Sequence, residues 1–405
     1  MAQKSICLYT KSYPYGTGES FIENEIIFLS DSFDKVYVFP LVIEGELRLV
    51  PDNVQVVELS KEFESVNVRK TIIGNLGAIS RLFFQEIKHK RIYKKEYKVK
   101  FQFILSVFSK ENSLSSYLLE NGLNNAVHYT YWFDLWSSLL SILASRNKLT
   151  YFTRAHGYDL YEERNFLGYI HFRSFQMKAV NKVYCVSKSG TKYLKEKYPT
   201  YKDKIHCSYL GTDDHGMSPI SKMDRIRIVS CSNMIALKRV ELIIEILKFI
   251  KLDIEWVHFG DGILLEDIKE KAKELPDNIE SVFMGRKPNE NLLSYYQSTG
   301  VDLFINLSET EGLPVSIMEA ISFGIPVIAT DVGGTSEIVC IQTGWLINKD
   351  FNANLVVSII EENKEKFRLK EFRENIREYW KENFRASKNY TDFYHKLTKQ
   401  WNEKY

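Results

Sequence analysis

Two glutamates, Glu311 and Glu319, stand with seven residues between them in the stretch SETEGLPVSIMEAISFGIP, residues 308–326. Neighbouring carboxylates can form an acid/base pair, clamp a metal, or grip one ligand at two separate points. They can also be nothing more than a solvated helix face. Pro314 suits the first turn of a helix and Gly324 its end, so the stretch predicts a helix over 314–323. Glu311 then precedes the helix and Glu319 lies about a turn and a half inside it. The two do not share a helical face, which disfavours an ion-pair spacing or a two-carboxylate metal clamp and favours contact with two parts of an extended ligand. Between them, the N–H groups of Leu313, Val315 and Ser316, around Pro314, form a helix start suited to an anion such as a phosphate. Spacing alone leaves a second reading open, in which Glu311 caps the helix and Glu319 is solvated.

Further groups able to do chemistry follow other short apolar runs. SCSNMIALKRVELIIEIL carries Asn233, Lys238 and Arg239 on a loop before a helix. Cations there can neutralise a diphosphate, Lys as a point charge and Arg as a two-pronged grip. They can equally be a solvated helix start. VHFGDG and FMGRKPNENLLSYY end two more runs, the second with Gly285 and Arg286; each alone is more often just a turn. YPYGTGESFIENEI places Gly16, Thr17 and Gly18 before a helix, where glycines permit close backbone approach to a ligand. RAHGYDLYE offers His156 beside Gly157 and near Asp159. A lone histidine of this kind is more often structural than functional.

The elements that must position these groups alternate. Short β-branched and aromatic runs exchange with helix-like segments almost from end to end, the pattern of βα units around parallel sheets. One set of strands runs KSICLYT, KVYVFPLV, AVHYTYW, LTYFTRAHG, KVYCVS, KIHCSYLG; a second runs RIRIVSCS, IEWVHFG, IESVFMG, VDLFINLS, IPVIATD, GWLI. Periodicity lapses between them in GTDDHGMSPISKMD. The expected division is an N-terminal Rossmann-like domain over 1–212, a linker over 213–224, a second such domain over 225–380 and a terminal helix over 381–405. Open α/β sheets bind ligands at the carboxyl ends of their strands, so the motif-bearing loops are expected to face one cleft.

Composition narrows the partners. Lys and Arg total 54 against 52 Asp and Glu, a net charge of +2, which makes no case for nucleic-acid binding. The five cysteines are scattered without a CxxC, so neither a zinc site nor a disulfide framework is expected, and a reducing cytoplasm fits. The N-terminus lacks the apolar region of a signal peptide, and no apolar run approaches the ~20 residues of a membrane span. One local feature, IKHKRIYKKEYKVKFQF at 87–103, interleaves basic and aromatic residues and suits an anionic membrane surface or a lipid-linked diphosphate acceptor. A solvated helix face explains it equally well.

The run SETEGLPVSIMEAISFGIPVIATDVGGTSEIV resembles the C-terminal signature of glycosyltransferase family 4, retaining enzymes of the GT-B fold that use nucleotide-sugar donors. The match covers the spacing of the two glutamates, the small-residue–Pro–Val run and the GG-x-x-E turn. The resemblance is strongest over 228–340 and weaker before it. It implies an α/β fold of two Rossmann-like doubly wound domains facing a cleft, with C-terminal helices crossing back to the N-domain. It implies that Glu311 meets hydroxyls of the donor sugar, that Glu319 holds the ribose and that the intervening helix start faces the diphosphate. Lys238 matches the family's lysine, while Asn233 stands where the family has arginine and removes a cation from the expected diphosphate site; whether Arg239 compensates is left open. The Gly16–Gly18 loop, with GTG in place of GG, resembles the family's glycine loop. His156 is implied to reach the donor sugar, and the Arg286 loop to lie beside the nucleobase.

The resemblance implies transfer of a sugar from a nucleoside-diphosphate donor to a hydroxyl of a glycan or lipid-linked glycan, in bacterial surface-polysaccharide assembly. It also implies retention without a protein nucleophile, no metal and no cofactor beyond the co-substrate, and work in the cytoplasm or at the inner face of its membrane. Two rivals stand beside it: another GT-B enzyme, such as a sugar-nucleotide epimerase or phosphorylase, and a non-catalytic nucleotide-sugar-binding partner of another transferase.

Overall fold

The structure, a computed structural model, describes residues 4–61, 68–89, 94–165 and 168–402. The chain divides into two compact units, Met1–Ser208 with Tyr390–Tyr405, and Tyr209–Asn389.

Unit 1 is built on seven parallel strands: β1 Ser5–Thr10, β2 Lys35–Pro40, β3 Val54–Val56, β4 Val127–Thr130, β5 Tyr151–Ala155, β6 Lys182–Cys185 and β7 Ile205–Cys207. Their order across the sheet is β3-β2-β1-β4-β5-β6-β7. Parallel strands covered by helices on both faces read as continuous apolar runs, and β4 and β5 are buried at every position. The expected strands of this half are all present. β3 was not among them, being only three residues long.

The chain returns to unit 1 at its end. Within the helix Ala386–Asn402, Phe393 packs on Tyr129 of β4 and Tyr184 of β6, at ring centroid distances of 5.4 and 5.0 Å. The Arg154 guanidinium lies 4.1 Å from the Phe393 ring centroid and donates to Glu25 at 2.7 Å; Tyr394 Oη donates to the other Glu25 oxygen at 2.6 Å. A fully buried ion pair is thus satisfied partly by the last helix.

Unit 2 holds six parallel strands: β8 Ile226–Cys231, β9 Ile254–Phe259, β10 Ile279–Gly285, β11 Leu303–Asn306, β12 Val327–Thr330 and β13 Gly344–Ile347. They are ordered β10-β9-β8-β11-β12-β13. In both units the strand order reverses beside the first strand, between β1 and β4 and between β8 and β11. Loops leaving those strands diverge to opposite faces of the sheet and open a ligand crevice at their carboxyl ends.

The segment 213–224, read from the sequence as a linker, is bonded into unit 2. Ser218 N–H donates to Phe323 O at 3.0 Å, Arg373 donates to Ser218 O at 3.2 Å and Arg377 to Gly216 O at 2.7 Å. These arginines lie some 160 positions further along the chain, so local composition gave no sign of them. The basic run at 87–103 falls largely outside the described residues: 90–93 entirely, and the side chains of 87–100. Among the described residues no helix is long and apolar enough to cross a membrane.

Candidate functional site

The site in unit 2 grows from the crevice between β8 and β11. After β11 the chain runs through Glu311 into a helix Val315–Ser322, one residue shorter at each end than expected. Pro314 occupies the N-cap with extended backbone (φ −71°, ψ 108°) and supplies no side-chain cap. The first-turn N–H groups therefore have no side-chain acceptor of their own, the condition under which a helix start binds an anion. The GG turn supports this loop from below. Gly333 has φ +57°, and a Cβ there would fall 1.8 Å from the Glu311 carbonyl oxygen, while Gly334 N–H donates to Gly312 O at 2.8 Å. Only glycine at 333 allows the two backbones to touch.

The β8 loop closes on the same place. Lys238 ends a short turn Ala236–Lys238 and its Nζ donates to Glu311 Oε1 at 2.5 Å; Asn306 Nδ2 reaches the same oxygen at 3.4 Å. Lys238 and Glu311 keep 21% and 10% of their side-chain surface, so the pair is shielded yet reachable. Glu309 N–H donates to Leu237 O at 2.9 Å, sewing the two loops together. Arg239, the candidate to compensate for Asn233, is engaged by backbone carbonyls. It adopts φ +48° and donates to the carbonyls of Leu307 at 2.7 Å, Lys349 at 2.9 Å and Ser308 at 3.4 Å. Its guanidinium braces the β8, β11 and β13 loops.

Glu319 sits in the second turn of the helix, 6% exposed, and accepts one hydrogen bond, from Asn289 Nδ2 at 2.9 Å. Burial pushes its carboxyl up to about 7, and the Asn289 bond offsets only part of that. Arg286, on the same β10 loop as Asn289, is exposed and donates to Asn233 Oδ1 at 3.4 Å. The loops after β8, β10 and β11 thus meet through three side-chain contacts: Lys238–Glu311, Arg286–Asn233 and Asn289–Glu319. Asn289 was missed from sequence, because in RKPNENLL it reads as an ordinary helix start after Pro288.

In unit 1 the expected residues fall on loops after β1 and β5. Gly16 has φ +62° and its N–H donates to Glu46 O at 3.0 Å, so this one amide of the glycine loop is already engaged. Thr17 and Gly18 are exposed, and Gly18 O accepts from Arg48 Nη2 at 2.6 Å. Glu19, which the sequence reading passed over, folds back and accepts from the N–H groups of Ser12 and Tyr13 at 2.6 Å each, and from Trp132 Nε1.

His156 is nine-tenths buried. Its ring stacks on Tyr131 at 4.8 Å and leans on Trp132 at 4.4 Å. Asp159 accepts from the N–H groups of His156 and Gly157 at 2.8 and 3.0 Å and lies 3.6 Å from Nδ1. Nδ1 is thus turned to Asp159, while Nε2 has no hydrogen-bond partner among the described residues. Burial raises the Asp159 carboxyl, but the His156 side chain and the Phe133 and His156 N–H groups outweigh it and hold the carboxyl below its usual value. Nearby Asp134 is pushed up to about 7, by burial first and then by the charge of Asp159. Among the described residues no group of three or more His, Cys, Asp or Glu is placed to hold a metal ion.

Comparison with solved structures defines the fold. The chain aligns over 100% of its length and 100% of sucrose-phosphate synthase from Thermosynechococcus elongatus, with a TM-score of 0.70 and 15% identity. It aligns over 98% of its length and 100% of Anabaena HepE in complex with UDP, with a TM-score of 0.67 and 12% identity. The chain has the two-domain α/β fold of GT-B glycosyltransferases. Residues 217–383, the greater part of unit 2, match the family glycosyl transferases group 1. A putative teichuronic acid biosynthesis glycosyltransferase, TuaC of Bacillus subtilis, is 28% identical over 34% of this chain and 33% of its own length. The N-acetyl-alpha-D-glucosaminyl L-malate synthase of Bacillus anthracis is 28% identical over 42% of this chain and 44% of its own. The matched region thus spans less than half of either relative.

Proposed function

We propose that the chain transfers a sugar from a nucleoside-diphosphate donor to a hydroxyl of a glycan or lipid-linked glycan, with retained anomeric configuration. The observation that carries the reading is the meeting of the Lys238–Glu311 pair with the uncapped start of the helix Val315–Ser322 at the β8/β11 crevice. A cation and a helix start suit a diphosphate, and the carboxylates at either end suit sugar and ribose hydroxyls. HepE, which shares the fold, is described with UDP and with UDP-glucose, which supports a nucleotide-sugar donor here.

In this mechanism Lys238 and the 315-helix N–H groups hold the departing diphosphate, where negative charge develops as the bond to the sugar breaks. Glu311 accepts from sugar hydroxyls, and donor binding frees it from part of its bond to Lys238. Glu319 accepts from the ribose. His156, with Nδ1 turned to Asp159 at 3.6 Å and no hydrogen-bond partner on Nε2 among the described residues, is assigned to the transferred sugar near its reacting carbon. No protein group is assigned as nucleophile; the leaving phosphate takes the proton of the acceptor hydroxyl as that oxygen bonds to the sugar on the same face. Relatives named for teichuronic acid, O-antigen and amylovoran biosynthesis support a glycan acceptor.

The test is incubation with a panel of nucleoside-diphosphate sugars and a lipid-linked glycan acceptor, followed by mass and anomeric analysis of the product. A product one sugar heavier, in the donor's configuration, is expected. Turnover of the donor to an isomer without any acceptor refutes transfer in favour of epimerisation.

A further inference from the structure

The cations around the β8/β11 crevice are not equally available to a ligand. Lys238 is paired with Glu311 at 2.5 Å, and Arg239 is fastened to three backbone carbonyls. Arg286 is different: it is exposed, and its one hydrogen bond among the described residues, at 3.4 Å, goes to the amide oxygen of Asn233 and not to a carboxylate. Its full positive charge is therefore unspent, and most of its N–H fork remains open for a planar, two-pronged contact with phosphate oxygens.

Its side chain is directed by one contact and its loop anchored by another. Asn233 holds it from the β8 loop, and three residues further along its own loop Asn289 bonds Glu319 on the helix whose start is uncapped. The backbone turn that lets the side chain leave toward β8 is made by Gly285, at φ +68°, whose carbonyl accepts from Gly260 N–H at 3.0 Å. The neutral acceptor at 233 matters: a second cation there would repel Arg286 at this distance, whereas an amide oxygen directs it.

We propose that Arg286, steered by Asn233, is the guanidinium that grips the donor's diphosphate, so that this charge reaches the site from the β10 loop and not from position 233 itself. The proposal rests on the donor reading given above and assigns one residue's part in it. It gives Arg286 the phosphates, where the resemblance implied only a place for its loop beside the nucleobase.

Calorimetric titration of the full-length protein with uridine, guanosine and adenosine diphosphates, and with the matching nucleosides, separates the possibilities. Arg286→Ala is expected to weaken the preferred nucleoside diphosphate roughly tenfold or more while leaving the nucleoside unchanged. Arg286→Lys should recover part of the loss, and Asn233→Ala should show a smaller one. Lys287→Ala, which removes an equal charge from the adjacent position, should change little. The double variant Asn233→Arg with Arg286→Ala should regain affinity. Equal diphosphate affinity in wild type and Arg286→Ala overturns the proposal while leaving the donor reading intact, and so does a parallel loss for nucleoside and diphosphate, which would place Arg286 on the base. A wild-type protein that binds no nucleoside diphosphate overturns the donor reading and this proposal with it.

Discussion

Replacing Glu319 by glutamine exposes a conflict between stability and ligand binding that the structure sets up. The carboxyl is 6% exposed and has one hydrogen bond, from Asn289 at 2.9 Å, so burial raises it from 4.5 to about 7. A raised acid is stable while protonated. Its favourable state is fully present below the unfolded value, is lost as pH rises through the folded value, and the loss is complete above about 7. At ~1.4 kcal/mol per pH unit between the two values, ionised Glu319 costs the folded protein on the order of 3 kcal/mol at about pH 8 and under about 1 kcal/mol at about pH 5. Glutamine keeps an acceptor for Asn289 and carries no charge. Without nucleotide, Glu319→Gln should therefore melt within about 2 °C of wild type at about pH 5 and roughly 5–10 °C above it at about pH 8. The same variant should lose affinity for nucleoside diphosphates while gaining stability. Thermal melts of both proteins at the two pH values measure this, and a difference that does not grow with pH, or a variant less stable at about pH 8, refutes the reasoning.

Three further outcomes follow from other contacts. Gly333→Ala places a methyl 1.8 Å from the Glu311 carbonyl in a left-handed conformation, so it should cost at least ~2 kcal/mol and weaken nucleotide binding, read by denaturant unfolding and titration. Arg154→Met strands the buried Glu25 carboxylate and should cost about 3–5 kcal/mol, whereas Arg154→Met with Glu25→Gln should cost less than the single change; a double-mutant cycle by urea unfolding checks this. Lys238→Met removes the partner of Glu311 at 2.5 Å and should lower donor turnover about a hundredfold or more, measured as nucleoside diphosphate release.

The parallel strands were legible because burial on both faces demands uninterrupted β-branched and aromatic runs, and β4, β5, β11 and β12 are buried at every position. β3, with three residues and a half-exposed pattern, carries no such signal. The loop between Glu311 and Glu319 was legible because proline and glycine mark both ends of its helix. The roles of individual cations were not. Arg239 and Arg286 are told apart by what their guanidiniums touch, and those partners lie 53 to 110 positions away. The same holds for Glu19, whose carboxylate meets Trp132 across 113 positions, and for Arg373 and Arg377, which turn an apparent linker into part of unit 2. Long-range polar contacts leave no periodicity in sequence.

The central claim, that unit 2 holds a nucleoside-diphosphate sugar at the meeting of Lys238, Glu311, Glu319 and the 315-helix start, is tested most directly by binding. Titration of wild type and of the Lys238→Met, Glu319→Ala double variant with uridine diphosphate, guanosine diphosphate and their glucose and mannose conjugates is the measurement. The account predicts saturable binding of one nucleotide series to wild type and its loss in the double variant, with folding retained by far-ultraviolet circular dichroism. Binding of equal strength in both proteins, or in neither, contradicts it.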